Sequence, residues 1–171
     1  IVRSRKPLVC ATRRHSMPST VLWANILGRG SVIGEMAVLA GVPRTADVIA
    51  DTTVTALWMR RDEMNEAMEE SPALAKGLWE TAGRRFTENL LKSQEPYVSQ
   101  SQWELRRWLS GGEVLSPAAG DSLELYGKVA ILLSGTATVP GSDEPVKAIT
   151  RLIAREASFP EGARVWLRSE S

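Results

Sequence analysis

The chain has 171 residues, of which 43% are hydrophobic and 24% charged, with 13 Gly and 9 Pro. That balance belongs to a folded soluble domain and excludes a disordered or collagen-like chain. The longest apolar runs, such as 129–133, fall far short of the ~20 residues of a membrane-spanning helix. One cysteine, Cys10, and one histidine, His15, exclude an internal disulfide and leave no ligand set for a Cys/His zinc site, so no metal is expected. The chain opens at Ile1 rather than Met, and a piece of a longer protein is expected. Net charge is +1, yet Arg3, Arg5, Lys6, Arg13, Arg14 and Arg29 all precede the first acidic residue, Glu35. We read this basic stretch as solvated strands and loops, with an arm for nucleic acid or anionic lipid as the alternative.

Residues 1–27 mix short apolar stretches with Arg, Ser and Thr and predict two or three short strands around a polar loop near 12–20. Residues 46–59 predict two further strands turning at Ala50, Asp51 and Thr52. At Arg61 the period changes. Met64, Ala67 and Met68 predict a short acidic helix over 61–70, and Ser71-Pro72 stops it and starts the next, over 72–91, with Leu74, Leu78, Ala82, Phe86 and Leu90 on one face. Residues 92–101 read as a linker, and 102–109 as a short helix carrying Trp103 and Trp108. Strands are predicted at 113–115, 123–125, 129–139 and 146–153. The order β, two helices, β argues for an α+β protein rather than a parallel βαβ sheet.

The segment that carries chemistry is Ile33-Gly34-Glu35-Met36-Ala37-Val38-Leu39-Ala40-Gly41-Val42-Pro43-Arg44-Thr45-Ala46-Asp47-Val48. It offers a glycine for close backbone approach, a one-turn helix whose N-terminal amides suit an anion, and an arginine returning after a Gly-Val-Pro turn. Such a cradle suits a phosphate: Arg44 for one oxygen, N–H groups at Met36, Ala37 and near Thr45 for others, and Glu35 to accept from a sugar hydroxyl.

In spacing, in Gly-Glu, in Arg-Thr-Ala and in the strand that follows, this run resembles the phosphate-binding cassette of the cyclic nucleotide-binding domain. The resemblance implies an antiparallel β-roll with C-terminal lid helices, Glu35 on the ribose 2′-hydroxyl and Arg44 on the cyclic phosphate. The backbones of Gly34, Met36, Ala37 and Thr45, with Ala46 beside them, complete the cradle. The Thr45 hydroxyl is of a kind that in the family favours guanine, and the choice between cyclic AMP and cyclic GMP stays open. The helix 72–91 corresponds to the family's lid, which reports occupancy by moving. Strands that usually precede 1–27 in the roll are not in this sequence, so the expected fold is an incomplete antiparallel β-roll with lid helices (1–91), a linker with a short helix (92–111) and part of a second β-rich domain (112–171).

The order of parts also resembles the cytoplasmic tails of plant salt-tolerance plasma-membrane Na+/H+ antiporters: Gly77-Leu78-Trp79-Glu80, then Glu104-Leu105-Arg106, then a Leu-Leu-x-Gly strand. The plant members lack the cassette arginine that Arg44 supplies here. The resemblance implies a non-enzymatic regulatory region on the cytoplasmic face of a membrane, partnered by its own transport domain or by a second copy, with cyclic AMP or cyclic GMP as regulatory ligand, no cofactor and no nucleic acid. The alternatives are a ligand-free structural, dimerisation or autoinhibitory tail, or a regulator of a kinase or transcription factor. Gly120-Asp121-Ser122-Leu123 spells a serine esterase motif without the downstream Asp-x-x-His it needs, and no catalytic residue is assigned. The six tryptophans read as packing rather than as a base-stacking site.

Overall fold

The computed structural model describes residues 2–3, 8–12, 23–41, 43–44, 47–50 and 53–170. The chain divides into two compact units, Ile1–Ser71 and Pro72–Ser171. Among the described residues every strand pairing is antiparallel, and helices accompany the strands in both units, which is the expected α+β class.

In the first unit, strands β1 (Val2–Arg3), β2 (Leu8–Thr12) and β3 (Trp23–Leu27) precede helix α1 (Glu35–Leu39), strands β4 (Asp47–Ile49) and β5 (Thr55–Ala56), and helix α2 (Arg61–Glu70). β2 is central in a three-stranded sheet, with Leu8 opposite Leu27 and Thr12 opposite Trp23 on one side and Val9 opposite Ile49 on the other. β1 and β5 form a separate ladder. The predicted loop near 12–20, His15 included, and Asp51 and Thr52 of the predicted turn lie outside the described residues. The helix α2 starts where the sequence predicts because the Glu63 carboxylate accepts from the Arg60 N–H at 2.8 Å, while Asp62 and Glu63 put negative charge in the first turn. Its last bond runs from Ser71 N–H to the Ala67 carbonyl, immediately before Pro72. Met64, Ala67 and Met68, the residues at helical spacing, are half-buried, while the rest of the helix is exposed.

The second unit begins with helix α3 (Pro72–Leu91) and helix α4 (Gln102–Leu109), joined through a single 3-10 turn at Tyr97–Ser99. Helix α4 carries a capping box: Ser101 Oγ accepts from the Glu104 N–H at 3.3 Å, and the Glu104 carboxylate accepts from the Ser101 N–H at 2.9 Å. Eight strands follow: β6 (Glu113–Leu115), β7 (Ser122–Glu124), β8 (Lys128–Ser134), β9 (Thr136–Ala137), β10 (Val146–Lys147), β11 (Thr150–Leu152), β12 (Glu156–Ser158) and β13 (Arg164–Ser169). The main sheet has the order β11-β8-β13-β6, and β7 pairs with β12 and β9 with β10. Along β8 the residues Val129 to Leu133 are all buried, because both faces of this sheet are covered. One face packs Ala130, Leu132, Leu152, Val165 and Leu167 against Leu125, Ala137, Ala157 and Phe159. The other receives the helices.

Helix α3 packs on β6, β8 and β13 of the second unit, whereas the sequence pattern groups 72–91 with the region before it. Gly83 makes the approach close: a Cβ there would lie 2.9 Å from Val114, 3.0 Å from Leu133 and 3.6 Å from Trp166. The buried stripe runs through Leu78, Ala82, Gly83, Phe86, Thr87, Glu88 and Leu91. Leu74, expected on that face, is 40% exposed. The sequence pattern predicts neither β12 nor β13, although β13 lies between β8 and β6 in the main sheet. Its pattern reads as polar because Arg164 and Arg168 flank Trp166. In the fold those guanidinium groups lie over aromatic rings, Arg164 5.7 Å from Trp79 and Arg168 4.6 Å from Trp108.

Candidate functional site

The phosphate-cradle segment sits in the first unit between β3 and β4. Gly34 caps the start of α1 with φ +85°, a conformation that favours glycine. It is also bare for a second reason: a Cβ at position 34 would lie 2.5 Å from Nη1 and 3.0 Å from Cζ of Arg44. The guanidinium group of Arg44 therefore rests against the Gly34 backbone, ten residues away in sequence, with its side chain at the surface. Glu35, the first residue of α1, is only 3% exposed and is engaged within the chain. Met36 and Ala37 follow on the same helical turn, half-buried.

The structure thus brings together Gly34, Glu35, Met36, Ala37 and Arg44, while Thr45 and Ala46 lie outside the described residues. Chemically the arrangement offers an exposed guanidinium beside the amides of a helical first turn, which have no acceptors within their helix, and one buried carboxylate next to them.

Residues 9–71 match the family model of the cyclic nucleotide-binding domain. The match covers less than half of the chain and includes the whole cradle. Among solved structures, a cyclic nucleotide-binding-like protein from Brucella abortus overlaps at TM-score 0.41 and 22% identity, over 48% of this chain and 90% of that one. A second overlap, at TM-score 0.38 and 14% identity, is with a putative cyclic nucleotide-binding protein from Geobacter metallireducens, over 49% of this chain and 76% of that one. A third, at TM-score 0.33 and 18% identity, is with the regulatory domain of Toxoplasma gondii PKA with cAMP, over 96% of this chain and 68% of that one.

The remaining sequence candidates lie in the second unit. In the esterase-like motif, the Asp121 carboxylate accepts from the Ala118 N–H at 2.8 Å and closes a turn, and Ser122 is exposed at the start of β7. Of the two tryptophans on α4, Trp103 is 67% exposed, with Arg107 5.4 Å from its ring. Trp108 is sandwiched between Tyr97 and Trp166, with ring centroids 5.2 and 5.6 Å apart. Among the described residues no group of three His, Cys, Asp or Glu could hold a metal ion. No helix among the described residues is long and apolar enough to cross a membrane.

Two polar arrangements carried no sequence signal. The first ties α3 to α4. The Glu88 carboxylate, nearly buried, accepts from Lys92 at 3.0 Å, from Arg106 Nε at 3.1 Å and from Gln102 Nε2 at 3.2 Å. Burial alone raises its pKa, but the hydrogen bonds from Lys92 and Gln102 and the charges of Lys92 and Arg106 outweigh that and hold it below its ordinary value of 4.5. The second links α1 to α2, where Arg61 Nη2 donates to the Ala37 carbonyl at 3.0 Å. Apart from the i,i+4 pair of Glu88 and Lys92, the partners lie 14 or more positions apart, so no local spacing announces them.

Proposed function

We propose that the chain is a non-enzymatic regulatory region whose cradle binds a cyclic nucleotide. The observation that carries this is the placement of the Arg44 guanidinium against Gly34, beside the amide-bearing turn of α1 and buried Glu35, within a segment that matches the cyclic nucleotide-binding family. In this reading Arg44 holds the cyclic phosphate, Glu35 accepts from the ribose 2′-hydroxyl, and the backbones of Gly34, Met36, Ala37 and Thr45, with Ala46 adjacent, complete the contacts. Binding acts by population shift, favouring one disposition of the helices after the cradle. Titration calorimetry with cyclic AMP and cyclic GMP tests it: the wild type should bind one of them, and Arg44→Ala should weaken that binding by roughly tenfold or more. Absence of wild-type binding to both would overturn it.

The order of parts after the cradle supports a finer proposal, in which the region belongs to the cytoplasmic tail of a membrane sodium/proton antiporter and sets its activity. Measuring cation/proton exchange by the intact parent protein, with and without cyclic nucleotide, tests that placement; exchange insensitive to both nucleotides and to Arg44→Ala would remove it. A second reading has its own support. Glu35 is engaged within the chain, and Arg44 already packs on Gly34, as in a cradle kept as packing. Such a ligand-free module would act in autoinhibition or dimerisation, and a thermal-shift screen separates the two, because a ligand at 100 times its Kd stabilises its fold by about 2.7 kcal/mol. Control of a kinase remains compatible with either reading. Control of a transcription factor is likewise compatible with either reading.

A further inference from the structure

We infer that Arg61 is a positioning residue that caps α1 from α2 and ties the cradle to that helix; its bearing on ligand binding rests on the cyclic nucleotide reading, and its capping role does not. A five-residue helix leaves most of its carbonyls without donors, and α1 has no basic residue in its last turn. Its own C-terminal bond runs from Ala40 N–H to the Met36 carbonyl at 3.0 Å. The next carbonyl, that of Ala37, accepts from Arg61 Nη2 at 3.0 Å. A cation placed on a C-terminal carbonyl is favoured by the helix dipole.

The same residue is locally out of place. Arg61 opens α2, where a positive charge opposes the dipole. The other arginine at this helix start, Arg60, is held by carboxylates of its own helix, at 3.1 Å from Asp62 and 3.4 Å from Glu63. Arg61 reaches out of its helix and across 24 residues of sequence. A residue that goes against its local preference while satisfying a distant group is the pattern of a tertiary constraint. Because Ala37 stands in the turn that presents the cradle amides, Arg61 fixes that turn and the first turn of α2 in one register. A phosphate that tightens α1 then acts on α2 through this bond.

Hydrogen exchange followed by mass spectrometry on the whole 171-residue chain tests both parts. Without nucleotide, Arg61→Ala should speed exchange across residues 36–41 by roughly threefold or more, and Arg61→Lys, which keeps a cation in reach, should restore most of the protection. With cyclic AMP or cyclic GMP, the wild-type gain in protection should extend from α1 into residues 62–66, and in Arg61→Ala it should stop at α1. Unchanged exchange at 36–41 in nucleotide-free Arg61→Ala overturns the capping role. A full α2 response in that variant overturns the coupling. If neither nucleotide alters wild-type exchange, the ligand reading and the coupling fall together, and the nucleotide-free comparison alone decides the cap.

Discussion

The two units differ in what holds them. The second unit buries an apolar core that runs from Leu78 to Leu167, whereas among residues 27–41, 43–44, 48–50 and 53–71 of the first unit the one buried side chain is a carboxylate, Glu35. The first unit also exposes Val48, Ile49, Leu57, Trp58 and Met59, with Leu57 at 72% and Trp58 at 78%. The second unit has a sheet covered on both faces and an aromatic ladder from Tyr97 through Trp108 to Trp166. The cradle residues Glu35 and Arg44 thus lie in the first unit and the aromatic ladder in the second. Sites that must respond to a ligand are drawn from the less stable parts of a fold.

The largest break in this contrast should come from Trp166→Ala. It removes a fully buried side chain that touches α3, α4 and the centre of the sheet, and should cost about 3–5 kcal/mol in urea unfolding of the second unit. Gly34→Ala should act on the other side of the comparison. It forces a side chain into φ +85° and onto the Arg44 guanidinium, at a cost of about 1–2 kcal/mol confined to the cradle. Calorimetry should show the loss in nucleotide affinity, with the urea midpoint of the second unit unmoved.

A smaller effect should follow pH. The Glu88 carboxyl is held below 4.5 in the folded chain, so it contributes stability that is present above the unfolded-state value and is lost as pH falls through the lower, folded value. Urea midpoints measured downward from pH 6 should fall below about pH 4.5, and Glu88→Gln should flatten that part of the profile while costing on the order of 1 kcal/mol at pH 7. An unchanged profile in Glu88→Gln would show that the contacts from Lys92, Gln102 and Arg106 carry no weight in solution. Smallest of all should be Leu74→Ser, within about 0.5 kcal/mol, because Leu74 is 40% exposed.

The expected helices 61–70, 72–91 and 102–109 are those observed, because each is marked locally: a Glu63 or Glu104 that reaches back to its cap, a Pro72 at a first turn, apolar residues at helical spacing. The cradle was legible for a related reason. Gly34 and Arg44 are residue types with few substitutes in that geometry, and ten residues suffice to bring them together. By contrast, β13 was hidden by Arg164 and Arg168, whose rank as polar residues says nothing of the Trp79 and Trp108 rings that receive them.

By itself, then, the sequence determined the α+β class, the helix positions and the phosphate-cradle pattern, all of which rest on interactions within about a dozen residues. Only the tertiary structure decided that α3 packs on the second sheet through Gly83, that β13 runs between β8 and β6, and that Arg61 caps α1. Those arrangements depend on which distant surfaces meet, and a side chain's own chemistry carries no record of the partner that will bury or bond it.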